Sequence, residues 1–399
     1  MTSLIRRRRT ARSDLPPLIL LGGDANAVSI ARSLVRDGIT VHMIGASPAR
    51  RSRAIRPIPM KPDAGPSDWT DYLLGPPSDG LRGSVLLAAN DAGLELLATH
   101  RQELRKRFLL DDSNPSAQLC MLDKLCTYQA AVNSGVPTPR FWPLGSFAQL
   151  NAIRTELVYP LIVKPRLSHV FRARFGRKFF LAESFAQVVT RVQEAFDAGV
   201  DVLLMEMIPG PDNLLCSYYT YLDEGGLPNF DFTKRVIRRY PVNMGEGTYH
   251  VTDYIPELRP LATALFRQVG LRGLAAAEFK LDTRDGTLKL IECNARFTAA
   301  NHLLSVAGFD LGRWVYYRII GRPLPVPSSY ASGAYLWSPV TDFRAFLQLR
   351  AGGQLSTLAW IRTLLHRQSF AWFDWRDPVP SLLVHGQQLA RFVRTLARR

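Results

Sequence analysis

In GLAAAEFKLDTRDGTLKLIECNAR (273–296), two apolar runs of strand length flank a polar turn that ends on glycine. That is the pattern of a β-hairpin. With a loop of Arg284-Asp285-Gly286, Thr283 faces Thr287 and, counting back, Glu278 faces Glu292. Alternation puts Lys280 and Asn294 on the same face as the two carboxylates. Like charges directly opposed destabilise a sheet. Both glutamates also sit inside apolar runs, which argues against a merely solvated surface. Two carboxylates and a carboxamide oxygen converging at strand centres form a hard oxygen cage. It suits Mg²⁺ bridging phosphates, with Mn²⁺ as the alternative ion.

Upstream, LVYPLIVKP (157–165) reads as a buried strand closing on Lys164, and RKFFLAES (177–184) as the next strand, opened by Lys178. A lysine at a strand end, facing a flexible basic loop, neutralises a polyphosphate well. Two surface lysines are the plain alternative. VLLMEMIPG (202–210) is a buried strand ending at Pro209-Gly210. There Glu206 can accept from an exocyclic amine and Asp212 can bind ribose hydroxyls, although an ordinary turn explains the same residues.

The whole chain has 399 residues, 47% hydrophobic and 21% charged, which excludes a collagen, a coiled coil or a wholly disordered protein. Its net charge of +16 rests on 42 arginines and only eight lysines. Guanidinium forks suit phosphate or carboxylate partners; nucleic acid, an anionic membrane or a compositional bias are the other readings. The arginines are dispersed and no zinc finger or RNP module accompanies them, so no nucleic-acid partner is expected. Four scattered cysteines without C-x-x-C spacing indicate neither a disulfide scaffold nor a zinc site, and a reducing cytoplasm is the simplest compartment. No run approaches the ~18–20 apolar residues of a membrane span.

After a basic tail (1–15), LILLG (18–22), a helix over 26–38, TVHMIGA (40–46), SVLLAAN (84–90) and a helix over 91–107 give a parallel β-α-β rhythm. Gly22-Gly23 resembles a dinucleotide turn, but G-x-G-x-x-G is not satisfied and no acidic residue ends the second strand. Residues 16–112 therefore read as a Rossmann-like unit without a dinucleotide site. From 113 to 325 the pattern is α+β with antiparallel pairing, including a helix within 119–139. Residues 326–399 are proline-punctuated and tryptophan-rich, and read as a mostly helical extension.

Taken in order, Asp123-Lys124 before a helix ending GVPTP, then YPLIVKP, MEMIPG, AAEFK and IECNAR resemble the ATP-grasp superfamily of ATP-dependent carboxylate–amine ligases. The resemblance covers about residues 18–325 and extends to predicted bacterial ligases of the D-aspartate ligase-like kind. It implies an α/β Rossmann-like domain ahead of a two-subdomain α+β ATP-grasp core, with ATP between the subdomains. Lys124 and Lys164 would contact phosphates, with Lys178 at the phosphate loop. Glu206, with the backbone of Met207 and Ile208, would meet adenine, and Asp212 the ribose. Glu278, Glu292 and Asn294 match the magnesium ligands. Arg296 fits a cation for the γ-phosphate or an acyl phosphate, with Arg235 as a second clamp. One departure stands out: the phosphate-covering loop is commonly rich in glycine and serine, yet here it is LSHVFRARFGR. Phe171, Phe175, His169 and arginines 166, 172, 174 and 177 indicate a longer, more cationic lid.

The chemistry implied is γ-phosphoryl transfer to a substrate carboxylate, then amine attack on the acyl phosphate to leave an amide or peptide bond. The protein would supply positioning and charge neutralisation. ATP, a small carboxylate and an amine, an amino acid among them, are the expected partners. Loops 238–250 and 294–303 would line the acceptor pocket, with Asn243, Arg296 and Asn301 able to bind a carboxylate. The rivals are another ATP-grasp carboxylase or ligase reaction, and a basic membrane-surface or nucleic-acid-binding protein without catalysis. Segment 356–375 reads as an amphipathic helix packing on the core or on a homodimer partner, with docking on the inner face of a membrane as the alternative.

Overall fold

In the computed structural model, residues 15–396 are described; most of the basic tail and the final three residues lie outside them. The first unit runs β1 (Leu18–Leu21), α1 (Ala25–Leu34), β2 (Val41–Ile44), β3 (Arg56–Pro57), α2 (Pro66–Leu74), β4 (Val85–Ala88), α3 (Asp91–Thr99) and α4 (Arg101–Arg105). Its strands pair in parallel in the order β3-β2-β1-β4. The central strand LILL is fully buried, as an unbroken apolar run between two neighbours requires. Gly22 has a φ of 66°, and a Cβ there would lie 2.1 Å from the Asn90 amide. Its positive φ and the packing against the neighbouring turn account for that glycine.

The second unit follows two helices, α5 (Pro115–Leu122) and α6 (Lys124–Asn133), which break the single helix expected over 119–139. Asp123 makes the break. Its carboxylate accepts from the backbone N–H groups of Leu125 and Cys126 and caps α6. The turn brings Cys120 and Cys126, read from sequence as scattered thiols, into a disulfide with Cα atoms 5.2 Å apart. Then come β5 (Phe141–Pro143), α7 (Phe147–Ala152), β6 (Leu161–Pro165), α8 (Ser168–Phe175), β7 (Phe180–Ala182), α9 (Phe185–Asp197) and β8 (Val202–Glu206). They form an antiparallel sheet in the order β5-β8-β6-β7. Leu161 and Val163 of β6 pack with Phe171, Phe180, Val188 and Val192 in its core.

The third unit is built on a seven-stranded sheet. Its elements are β9 (Leu215–Leu222), β10 (Phe232–Tyr240), β11 (Glu246–Thr252), α10 (Leu258–Gln268), β12 (Gly273–Asp282), β13 (Thr287–Asn294), α11 (Asn301–Val306), α12 (Leu311–Ile319), β14 (Tyr335–Trp337), α13 (Pro339–Ala351), α14 (Thr357–Thr363), β15 (Gln368–Ser369) and α15 (Val379–Leu396). The order is β13-β12-β9-β10-β11-β14-β15. One face, with Cys216, Tyr218, Ala277 and Phe279, packs on Leu258, Leu265 and Phe266 of α10. The other carries Tyr219, Tyr221, Phe232 and Ala276 against Phe297, Leu303 and Trp314. Farther along, that second face turns polar.

Residues 326–399 are less purely helical than expected, because β14 and β15 extend the large sheet. Segment 356–375 is not one helix either. It holds α14 and then a strand, since Gln368 and Ser369 pair with Tyr335 and Leu336 and His366 stacks on Tyr335 at 4.4 Å. A buried ion pair, Arg238 Nε to Asp342 Oδ1 at 2.7 Å, joins α13 to β10. Among the described residues no helix is long and apolar enough to cross a membrane.

Candidate active site

Glu278 of β12 and Glu292 of β13 stand directly opposite each other, as the hairpin count required. The route differs from that count. Asp282 pairs with Thr287, so the turn has four residues, Thr283 to Gly286, and a bulge at Ile291 restores the register. Among the described residues neither glutamate is in an ion pair; Glu292 Oε1 accepts only from Asn294 Nδ2, at 3.4 Å. Burial and the opposed Glu292 push the Glu278 carboxyl up. Burial would raise Glu292 too, but Lys124, Lys178 and Lys164 hold it well below the usual carboxylate range. Two facing carboxylates without a counter-ion, beside an amide whose oxygen is not spent on them, fit a hard divalent cation. No group of three His, Cys, Asp or Glu gathers among the described residues, so a third protein donor beside the two glutamates would have to be of another kind, such as the Asn294 amide.

Lysines ring this pair. Lys124 opens α6, and its N–H donates to Arg166 O at 2.9 Å. Lys164 Nζ donates to Tyr128 Oη at 2.8 Å and to Ile291 O at 3.0 Å. Tyr128 Oη itself donates to Ile291 O at 2.6 Å, so the bulged carbonyl anchors both. Burial, reinforced by Lys124, lowers Lys164 to about 7. Lys178 lies just before β7 and reaches Glu246 at 3.5 Å.

The expected lid loop is a helix, α8. Phe171 and Phe175 pack on Phe180 at 5.0 and 5.1 Å, which gives the segment an apolar underside and folds it. Several basic side chains of this segment have acidic partners: His169 with Glu95 at 2.9 Å, Arg172 with Glu246 at 3.0 Å and, just ahead of the helix, Arg166 with Asp123. Arg177 sits over the Phe180 ring. Arg174 has no ion pair among the described residues.

At the opposite end, Met207 and Ile208 line the cleft with Leu215, Arg239 and Lys280. The Glu206 carboxylate does not point there unengaged. Burial would raise it, but Arg284 and the Arg140 N–H at 3.1 Å bind it and hold it low. An amine would have to compete with Arg284, so adenine recognition by the Glu206 side chain is not what this geometry offers. Lys280 Nζ donates to Ile208 O at 3.1 Å and Gly210 O at 2.7 Å, fixing the strand end. Asp212 is buried, gripped by Arg239 Nε at 2.8 Å and by Asn243 N–H at 3.1 Å.

Two expected clamps are diverted. Arg235 pairs with Asp253 at 2.8 Å and donates to Asn213 O, outside the cleft lining. Irregularities between Val236 and Arg239 shift the strand, and Arg239 takes the place in the wall. Arg296 is held by Asp91 at the start of α3, across the unit boundary. Burial would raise Asp91, but Arg296, helped by Lys124, brings it down to about 2. Asn301 is buried and donates to Ser29 Oγ at 3.3 Å.

No family model matches the chain. It is 25% identical to a D-aspartate ligase of Enterococcus faecium over 280 residues, 66% of each chain. It is 29% identical to a D-alanine–D-alanine ligase of Cupriavidus metallidurans over 208 residues, 47% of this chain and 58% of that one. The chain thus spans less than two thirds of the length of these relatives. Among solved structures, the biotin carboxylase domain of the Hydrogenobacter thermophilus 2-oxoglutarate carboxylase, with MgADP and bicarbonate, superposes with a TM-score of 0.63. That match has 16% identity and covers 80% of this chain and 73% of that chain.

The fold is the ATP-grasp fold. Within this ATP-grasp cleft, sequence reading missed Tyr128, Asp91 and Arg239. Tyr128 was within reach of a periodicity argument, since it lies four residues after Lys124 and therefore on the same helix face. Asp91 and Arg239 act through pairings far apart in sequence and carried no local signal.

Proposed function

We propose that the chain is an ATP-dependent carboxylate–amine ligase that forms an amide or peptide bond through an acyl phosphate. One observation carries this reading: Glu278 faces Glu292 with no counter-ion while Lys124, Lys164 and Lys178 act on Glu292 from around it. The ATP-grasp fold and the partial likeness to D-aspartate and D-alanine–D-alanine ligases support it. Glu278, Glu292 and Asn294 would hold Mg²⁺, which when bound supplies positive charge to the phosphates. Lys164 and Lys124 would bind phosphate oxygens, and Lys178 would close over them with α8. The γ-phosphorus–oxygen bond to ADP breaks as a substrate carboxylate oxygen attacks. An amine then displaces phosphate from the acyl carbon. The protein orients these groups and excludes water. The backbone of Met207 and Ile208, which line the cleft, would hold the nucleoside; the Asp212 carboxylate is buried and taken up by Arg239 and the Asn243 N–H, so ribose binding by it is not what this geometry offers.

We also assign the parallel unit over 16–112 as a pre-ATP-grasp domain, 113–325 as the catalytic core and 326–399 as an extension. Exposed Leu358, Ile361, Leu365 and Trp375 make a second copy or a membrane surface a proposed contact of that extension, checked by sedimentation and by flotation with anionic vesicles.

The test is ADP release with Mg²⁺ across a panel of amino acids and amines, with hydroxylamine added in parallel. A carboxylate-dependent hydroxamate supports the acyl phosphate. ADP release that needs bicarbonate alone would sink the ligase in favour of a carboxylase.

A further inference from the structure

The break between α5 and α6 is one residue wide. Asp123 alone stands between the helices, its backbone extended at φ −80° and ψ 113°. The local sequence does not demand a stop there. From Ser116 to Asn133 the chain holds neither glycine nor proline and is rich in Leu, Ala and Gln, so one continuous helix is its intrinsic preference.

The Cys120–Cys126 bridge excludes that helix. Residues six apart on an α-helix are separated by a rise of about 9 Å, which places their Cα atoms about 10 Å apart. A disulfide spans roughly 7 Å at most, and here the two Cα atoms are 5.2 Å apart. With the bridge closed, the segment must be broken. With it open, the break rests on the Asp123 cap, on Thr127 Oγ1 donating to Cys120 O at 2.9 Å, and on packing.

The break carries two parts of the cleft. Lys124, the first residue of α6, is buried and heads the lysines that hold Glu292 low. Its N–H donates to Arg166 O at 2.9 Å, and Asp123 forms a backbone bridge with Leu167, the residue directly ahead of α8. Arg166 Nε also donates to Asp123 Oδ2 at 3.0 Å. One turn therefore seats both a phosphate lysine and the root of the lid helix.

The bridged cysteines are half-buried and within reach of solvent, whereas Cys216 and Cys293 are free and buried. Thiol exchange is thus directed to the pair. A thiolate of a small dithiol attacks one sulfur of the bridge, and the other cysteine leaves as a thiolate and takes a proton. The second thiol of the reagent then closes on the mixed disulfide and releases the first cysteine. Two electrons pass to the protein, and the reagent leaves as its own disulfide.

We propose that Cys120 and Cys126 form a thiol–disulfide exchange site that sets the nucleotide affinity of the cleft, higher with the bridge closed and lower with it open. This rests on the ligase reading and adds a regulation to it. With the bridge open, the continuous helix competes with the broken one. Only the broken fraction presents Lys124 to a phosphate, and the apparent affinity falls by that fraction.

The test is MgADP binding by calorimetry to the full chain, oxidised with a small disulfide or reduced with a dithiol, well below the melting transition of both forms. Alkylation and mass measurement count the free thiols in each. The reduced chain should bind MgADP about 3- to 10-fold more weakly, and reoxidation should restore the affinity. Cys120→Ser should bind as the reduced chain does in either buffer. Lys124→Met should bind more weakly in both states and lose the difference between them. Equal affinities of the two native forms overturn the inference and leave the ligase reading standing. A bridge that does not form under the oxidant, or a difference that survives in Lys124→Met, overturns it as well. A chain that binds MgADP in neither state overturns the ligase reading, and the inference with it. Should a variant not fold, the two native forms and their interconversion decide.

Discussion

Within one hairpin, the two acidic sites of β12 and β13 are treated in opposite ways. At the tip, Asp282 has no exposed surface and is paired with Lys289 at 2.6 Å and with Arg284, which in turn reaches Glu206. Four residues back, Glu278 meets another carboxylate and no cation within ion-pair distance. Both acids stand on one strand and on one face of it, and they differ in what completes the charge. The tip is closed by the protein itself, and its work is done once the chain has folded. Mid-strand charge is left open, and the surrounding lysines act on it at longer range. Such an arrangement persists where a ligand supplies the missing cation.

Removing charge should therefore have opposite consequences at the two places. Glu292→Gln should lower ADP formation on the order of 10²- to 10³-fold, with only a small change in apo melting, because relief of the repulsion from Glu278 is set against loss of the charge that Lys124, Lys178 and Lys164 favour. Steady-state rates and calorimetry check both halves; unchanged turnover would sink the metal assignment. Asp282→Asn should instead destabilise the fold by about 2–4 kcal/mol, since two cations lose a buried partner, with ATP affinity retained in the folded fraction. Pairing holds the Asp282 carboxyl well below its ordinary value. Its contribution is thus present above that ordinary value and lost as pH falls through the folded one. The variant should show a shallower loss of stability at acid pH. Loss of turnover without loss of stability would erase the contrast between tip and mid-strand.

How much of this was legible beforehand follows the same division. The hairpin pairing was readable because strand alternation and a glycine-marked turn are local rules. Even so, the count reached Glu278–Glu292 through an assumed three-residue loop, where a four-residue turn and a bulge at Ile291 compensate each other. That bulge has no sequence signature, yet its carbonyl is what fixes Tyr128 and Lys164. Lid chemistry failed for a related reason. Its arginines look available in sequence, but Arg166 and Arg172 are claimed by Asp123 and Glu246, acids supplied from other elements. Arg235 and Arg296 were lost to Asp253 and Asp91 in the same manner. Residue type shows which groups can bind an anion; only the fold shows which remain free to do so.

Lys164 offers the finest test of whether the open end of the cleft is short of its ligand. Burial puts this lysine at about 7, against an ordinary 10.5, so between those values the unfolded chain binds the extra proton. Its contribution to apo stability accordingly grows as pH rises from 7 toward 10.5 and is lost as pH falls through 7. A bound triphosphate adds negative charge beside the ammonium and raises its pKa again. Nucleotide binding at pH 8 should then take up a proton, and binding heats measured in two buffers of different ionisation enthalpy should differ in proportion. Lys280, lowered by burial to about 8, would add a lesser uptake at the same pH. Lys164→Met separates the two, and at pH 6, where the native lysine already carries its proton, the buffer dependence should vanish. The effect on affinity is modest, no more than about tenfold per pH unit for one proton. Buffer-independent heats at pH 8 would mean that Lys164 is already charged in the free protein, and that this part of the cleft is as self-sufficient as the Asp282 tip.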